Sequence, residues 1–225
     1  MKGLLIKDYR ILTKQKIILI LIVIMGVLLP FGSDDGSFLT NYAILVLSLF
    51  SLSTISYDEM NGGLLFLLSL PADRKMYVKE KYIFTGLNMV ISSLFSLGTG
   101  YAAALTKQTG EGIDSLALGV TGTVLVIGIM ISVAIPLTLK FGAEKGRMLI
   151  AIATMGVGAV IIIAYKTLTD VFHIDLVGGL GKLLGGIESE AAVNGILIGG
   201  LLLILLLVLF CSYLISNRIM RKKEF

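Results

Sequence analysis

Residues 191–217 read AAVNGILIGGLLLILLLVLFCSYLISN, without one Asp, Glu, Lys, Arg or His. As a helix rising about 1.5 Å per residue the run is about 40 Å long, and a hydrocarbon core about 30 Å thick needs only about 20 such residues. The rest of the chain agrees with it. Of 225 residues 56% are hydrophobic and 15% charged, and the mean hydropathy is +0.95. Globular domains carry roughly 45–50% apolar and about 25% charged residues, so this balance excludes a soluble enzyme and a disordered tail. With three Pro, 26 Gly and no low-complexity tract, the chain is not fibrous or linker-like either.

Five further uncharged runs precede that one: Ile17 to Gly32, Phe38 to Tyr57, Tyr82 to Thr106, Leu116 to Leu139 and Met148 to Tyr165. The first is the shortest, and Lys14 and Lys16 are expected to lie along its helix and snorkel to the interface. The N-terminus has the outline of a secretory signal. The residues after Leu28 offer no clear small-x-small cleavage site, though, and more runs follow, so an uncleaved first span is expected.

Orientation follows from Lys and Arg. The segments before span one, between spans two and three, between four and five, and after six hold five, four, three and four of them. The other side has Lys107, Lys166 and Lys182 only, with Asp34, Asp35, Glu111, Asp114, Asp170, Asp175, Glu188 and Glu190. By the positive-inside rule both termini are cytoplasmic, and a five-span or seven-span arrangement would break the alternation. The net charge of +4 is thereby explained without nucleic acid. Tyr57, Tyr82 and Tyr213 fall near inner ends and Tyr42, Tyr101 and Tyr165 near outer ends, as in aromatic belts. The fold expected is all-α integral membrane, one transmembrane domain over residues 1–225 with six spans at about 17–32, 38–57, 82–106, 116–139, 148–165 and 191–217.

Three segments outside the spans carry apolar residues. Residues 1–16 mix Leu4, Leu5, Ile11 and Leu12 with basic residues, which suits an amphipathic interfacial helix on an anionic leaflet. Between spans two and three, residues 58–81 contain GGLLFLLSLP at 62–71, too short to span. It reads as a short cytoplasmic helix covered by the membrane surface or by a partner, with Pro71 stopping it. Residues 166–190 read as an extracytoplasmic interfacial or re-entrant element.

Chemistry-bearing motifs are scarce. The single Cys211 admits no intrachain disulfide or CxxC site and reads as an apolar residue. His173 has no second ligand near it in sequence, so it reads as a surface residue. The run Gly178, Gly179, Leu180, Gly181, Lys182 is not a phosphate loop, since position 176 is Leu and position 183 is Leu. No span contains an ionisable residue, which disfavours a secondary transporter or proton pump, and no filter sequence points to a channel. Small residues at four-residue spacing (Ser92, Ser96, Gly100, Ala104; Ser115, Gly119, Thr123; Ala191, Gly195, Gly199) suit packing within one bundle or a dimer seam. Pro136 reads as a local kink.

The strongest functional signal is the segment after span two. Tyr57, Asp58, Glu59, Met60, Asn61, Gly62, Gly63 are followed by Ser69, Leu70, Pro71, Ala72, Asp73, Arg74, Lys75, then Val78, Lys81 and Tyr82. This order, with the N-terminal MKGLLIKDYRILTKQK, resembles the ABC-2-type permease subunits of bacterial ABC exporters, and within them the short permeases of phenol-soluble-modulin and antimicrobial-peptide exporters. Relatives often carry an aromatic residue after the N-G pair, where this chain has Gly63.

The resemblance implies a six-helix permease of the bacterial cytoplasmic membrane. It would pair with a second permease, identical or a sister chain, and with a separate ATP-binding-cassette ATPase that holds ATP and Mg. The permease itself would have no catalytic residue, cofactor or metal. In the family the segment after the second span couples to the ATPase. Carried onto this chain, Asp58, Glu59 and Asn61 open that element and Pro71, Asp73, Arg74 and Lys75 close it. Uncharged spans suggest an amphipathic or hydrophobic cargo such as peptides or lipid-like molecules. A non-transporting immunity, sensor or scaffold protein built on the same bundle is the alternative.

Overall fold

The computed structural model describes residues 2–32, 41–59, 63–64, 67, 73–107, 113–166 and 190–222. Asn61, Pro71, His173 and the body of the 166–190 element lie outside them. Among the described residues the regular structure is all helical. Six helices follow in order: α1 (Lys2–Lys14), α2 (Lys16–Gly32), α3 (Tyr42–Glu59), α4 (Arg74–Lys107), α5 (Ile113–Lys166) and α6 (Glu190–Lys222). Among the described residues, three stretches are long and apolar enough to cross a membrane: Arg74–Thr106, Leu116–Gly142 and Ala192–Lys222. The 17 residues of α2 reach about 26 Å. With 34 residues, α4 is about 51 Å long, so it overreaches a core of about 30 Å; its charged first turns, Arg74 to Lys81, precede the uncharged run 82–106.

α5 is two helices across a break. Gly142 has φ 82° and ψ 173°, a backbone region that only glycine occupies without strain. Positions 138 and 146 would lie about 12 Å apart along a straight helix. Here a Cβ on Gly146 would sit 3.1 Å from Thr138 Cα, so the chain turns back on itself. The uncharged runs 116–139 and 148–165 thus occupy separate limbs, 113–141 and 143–166. Within the first limb Pro136 has no N–H to donate to the carbonyl of Ser132. The Ser212 hydroxyl of α6 donates to that oxygen instead. The most extensive helix pairing in the bundle, α5 with α6, therefore includes the point where α5 is one hydrogen bond short.

The core lies where α3, α4, α5 and α6 meet, with Ile44, Ile55, Val78, Ile131, Ile135, Leu139 and Met220 buried in one cluster. A smaller cluster of Leu12, Phe50 and Phe84 joins α1 to α3 and α4. Leu64, from the apolar 62–71 stretch, is buried in the main cluster, so the bundle itself covers at least this residue. Outward faces are also apolar: Leu203, Leu206, Leu207 and Phe210 of α6 and Ile17, Ile20 and Val23 of α2 are exposed. Water disfavours such contiguous surface, and hydrocarbon accepts it. Tyr82, placed by sequence in an inner aromatic belt, turns into the bundle. Its ring meets Tyr213 edge-on at 5.6 Å, and its hydroxyl pairs with those of Ser212 and Ser216 at 2.5 and 2.8 Å.

Gly142→Ala is expected to lower the protein's stability by about 1–3 kcal/mol, because alanine is strained at this φ and ψ. A Cβ there would also come 3.4 Å from Glu59 Oε2. Gly98→Ala, at a helical position with open space around it, is expected to be neutral or to stabilise by up to about 1 kcal/mol. Thermal unfolding in detergent followed by far-UV circular dichroism separates the two; equal midpoints for both variants would contradict the strain argument.

Candidate functional site

The charged ends of five elements meet at one pole of the bundle: α1, the end of α3, the start of α4, the turn at Gly142 and the end of α6. Spacing within each helix builds the site. On α3, Ser51, Thr54 and Asp58 recur at three and four residues and so share one face; on α4, Tyr77, Glu80 and Lys81 do the same. α1 brings Lys7 and Asp8, with Leu12 one turn beyond Asp8 anchoring that face against Phe50 and Phe84.

Lys81 is the centre. Its side chain is 1% exposed, and its Nζ lies 2.5 Å from Asp8 Oδ2, 2.7 Å from Asp58 Oδ2 and 3.2 Å from Thr54 Oγ1. Lys7 Nζ, at the rim, pairs with Asp58 Oδ1 and lies 3.1 Å from Asp8 Oδ1. The Tyr77 hydroxyl donates to Asp58 Oδ2 at 3.1 Å, and its ring centroid is 5.2 Å from Lys81 Nζ. A buried ammonium is tolerated only when its protons find acceptors and its charge finds partners, and here both conditions hold. Burial pulls the Lys81 ammonium toward losing its proton, but Asp58, Asp8 and Glu80 offset this and hold it above the usual lysine value. Burial, followed by the Asp58 charge, pushes the Tyr77 phenol well above its usual value. Both groups keep their protons at neutral pH.

Glu80 completes the count. Two cations face three carboxylates, and Glu80 is fully buried with 3.8 Å between its Oε2 and Lys81 Nζ. Neither Glu80 oxygen, nor Asp8 Oδ1, receives a hydrogen bond from a donor group. With Glu80 protonated, two cations face two carboxylates and the cluster is neutral. Burial raises Glu80 first, Lys81 opposes it, and Asp8 adds to it, bringing the carboxyl to about 7.

The sequence-predicted coupling residues are thereby distributed. Asp58 points inward to the ion cluster. Glu59 lies against the α5 turn, with Oε2 3.4 Å from where a Cβ of Gly142 would be. Asp73 is exposed and its carbonyl accepts the Tyr77 N–H at 3.1 Å, opening α4. The Arg74 guanidinium donates to the carbonyls of Met220 and Arg221 at 3.3 and 3.5 Å, favourable for a cation at a helix C-terminus. Lys75 is exposed. The sequence reading missed Lys7, Asp8, Thr54, Tyr77, Glu80 and Lys81 as a set. The available signal was an acid at position 8 interrupting a basic helix, beside the i, i+3, i+4 polar face at 77, 80 and 81.

A protein-family model described as ABC-2 family transporter protein matches residues 3–221. The chain belongs to the ABC-2 transporter family. An ABC-2 membrane protein of this kind is the permease component of an ABC transporter, generally the non-catalytic transmembrane part that works with an ATPase partner. Searches of curated proteins and of solved structures each return no match. In this ABC-2 permease the match spans the ion cluster, the Gly142 turn and all six helices.

Lys81→Met leaves Asp8 and Asp58 buried without their shared cation and is expected to cost about 3–5 kcal/mol. Adding Asp58→Asn to Lys81→Met is expected to restore part of that loss in the same detergent melts; a neutral Lys81→Met would contradict the cluster as described. Glu80 carries a distinct pH signature. Its folded value of about 7 lies above the usual 4.5, so the folded state binds the extra proton between those values. The stability it contributes therefore falls as pH rises from 4.5 to 7. Glu80→Gln removes that fall, and its melting midpoint is expected to gain on the wild type by a few degrees between pH 5 and pH 8.

Proposed function

We propose that the chain is the membrane half of an ATP-driven exporter of the bacterial cytoplasmic membrane, with six spans and both termini in the cytoplasm. Two permease copies, identical or sister chains, would form the path, each seated on a separate ATPase that binds ATP and Mg. The family match over residues 3–221 carries the permease part of this reading. The Lys and Arg distribution supports the orientation.

Residues 58–81 are the proposed coupling segment. Support comes from how its two ends are held: Asp58 is tied to α1 and α4 through Lys7, Lys81 and Tyr77, and Arg74 is tied to the end of α6. A push on this segment is delivered to four helices at once. Asp73 and Lys75 are the exposed residues proposed to meet the ATPase, while Asp58, Glu59 and Arg74 pass the movement inward; Asn61 and Pro71 belong to the same segment. The cargo proposed is an amphipathic or hydrophobic molecule, with amphipathic peptides such as phenol-soluble modulins or antimicrobial peptides as the first class to try. Six uncharged runs support this, since a strongly charged small solute would need buried counter-charges.

The test begins with the chain tagged at its C-terminus and extracted gently from its native membrane. A near-stoichiometric P-loop protein is expected to accompany it. In the reconstituted complex, Asp73→Lys combined with Lys75→Glu is expected to lower permease-stimulated ATP hydrolysis several-fold without moving the melting midpoint. Unchanged stimulation would remove these residues from the contact. Recovery of the chain without any ATPase, even after crosslinking, would favour the scaffold alternative.

A further inference from the structure

Between α5 and α6 runs a groove of about 540 Å³ whose walls are Val133, Pro136, Leu137, Leu207, Val208 and Ile215. Its backbone is closed to polar ligands at the one place where Pro136 would have opened it, since Ser212 occupies the Ser132 carbonyl. At the charged pole the groove ends on Lys140, where it runs into a recess formed by Lys140, Arg218, Ile219 and Lys222. The three basic residues are exposed, and among the described residues none of them has an acidic partner. Lys140 Nζ rests over the Phe141 ring at 4.9 Å, at the lip.

The dimensions match one leaflet. Eleven residues of α6 separate Leu207 from Arg218, about 16 Å along the helix axis, against about 15 Å for half of a hydrocarbon core. An apolar trough of that depth ending in three cations suits a hydrocarbon chain carrying an anionic head. The groove opens beside the exposed Leu207, Leu214 and Ile215, on a face that would otherwise contact lipid. A second copy of the chain is a poorer occupant. A two-fold interface through this patch would bring its own Lys140, Arg218 and Lys222 toward their equivalents, and like charges meeting across an interface are costly.

We propose that this groove binds an anionic phospholipid, its acyl chain between α5 and α6 and its phosphate against Lys140, Arg218 and Lys222. Basic recesses between membrane helices hold anionic headgroups by this charge pairing. The site goes beyond the permease reading, because the lipid is a resident ligand and its binding requires no ATPase.

The chain contains no Trp. Phe141→Trp therefore places a single fluorophore at the lip, and lipids brominated on the acyl chain quench it at close range. In lipid vesicles of mixed composition, half-maximal quenching is expected at a roughly tenfold lower mole fraction of brominated phosphatidylglycerol than of brominated phosphatidylcholine. Lys140→Gln with Arg218→Gln is expected to abolish the preference, whereas Lys14→Gln with Lys16→Gln, which removes the same charge elsewhere, is expected to keep it. Equal quenching by both lipids, or a preference unmoved by the groove variant, overturns the proposal. Absence of quenching by either lipid also overturns it and assigns the groove to a protein contact. Native mass spectrometry of the wild-type chain gives a second reading independent of the Trp variant: retained phosphatidylglycerol adducts are expected, lost in Lys140→Gln with Arg218→Gln, and adducts equal for both lipids contradict the site.

Discussion

A single ammonium group organises the charged pole. Lys81 Nζ is surrounded by Asp8 from α1, Asp58 and Thr54 from α3, and the ring of Tyr77 one turn back on its own helix. Without those partners a buried lysine would lose its proton or pull water inward. With them it fixes the relative positions of three helix ends. The amphipathic helix α1 is consequently part of the bundle: its inward face carries Asp8 and Leu12, while Ile6, Tyr9 and Arg10 remain on the outside, available to an interface. The basic helix that sequence assigns to the leaflet surface is thus also an electrostatic latch.

α4 is the hub through which the other contacts pass. Arg74 reaches the last carbonyls of α6, Tyr77 and Lys81 reach α3 and α1, Tyr82 returns to α6 through Ser212 and Ser216, and Asn88 Nδ2 donates to Ser51 Oγ of α3 at 2.9 Å. Ser212 in turn holds the carbonyl that Pro136 frees in α5. The neutral contacts are modest one by one, about 0.6 kcal/mol being the average for an interhelical hydrogen bond in a membrane. Their arrangement matters more than their sum, because about four turns of α4, from Arg74 to Asn88, hold α1, α3 and α6 together. Where the ATPase meets the 58–81 segment as proposed, those turns are the shortest route from it into the bundle.

The helices themselves were legible in sequence because membrane thickness writes directly into chain length. Each uncharged run falls on helix, with 38–40 outside the described residues, and the charges between runs mark the ends. The α5 turn was legible only as a charged gap between 139 and 148. That one glycine at an unusual φ makes the reversal depends on local backbone geometry, which composition does not record. The ion cluster was hidden for a different reason. Asp8 and Lys81 are 73 positions apart, and in a chain read by loops both look like solvated members of a positive-inside segment. Asp58 and Arg74 were singled out by resemblance, but that reading kept them together in one element. In the fold they face apart, one into the cluster and one toward α6.

Moving along α4 from its charged end, the polar chemistry changes in a regular order. Arg74 and Lys81 come first with full charges, then the phenol of Tyr82, then the amide of Asn88, then the hydroxyls of Ser92 and Ser96. The deeper groups are neutral: Thr85 donates to the Lys81 carbonyl and Ser92 to that of Asn88, each one turn back, while Ser96 reaches across to Asn41 Oδ1. The cost of a charge rises steeply with depth in hydrocarbon, whereas a hydroxyl bonded to the carbonyl one turn back satisfies itself and adds little demand on its neighbours. Glu80 is the exception, since it precedes Lys81 within the charged turns. Its charge is penalised by burial within the protein, with Lys81 opposing that penalty and Asp8 adding to it. Neighbours and not depth therefore decide which carboxyl is penalised: Lys81 Nζ lies 2.5 Å from Asp8 and 2.7 Å from Asp58, but 3.8 Å from Glu80.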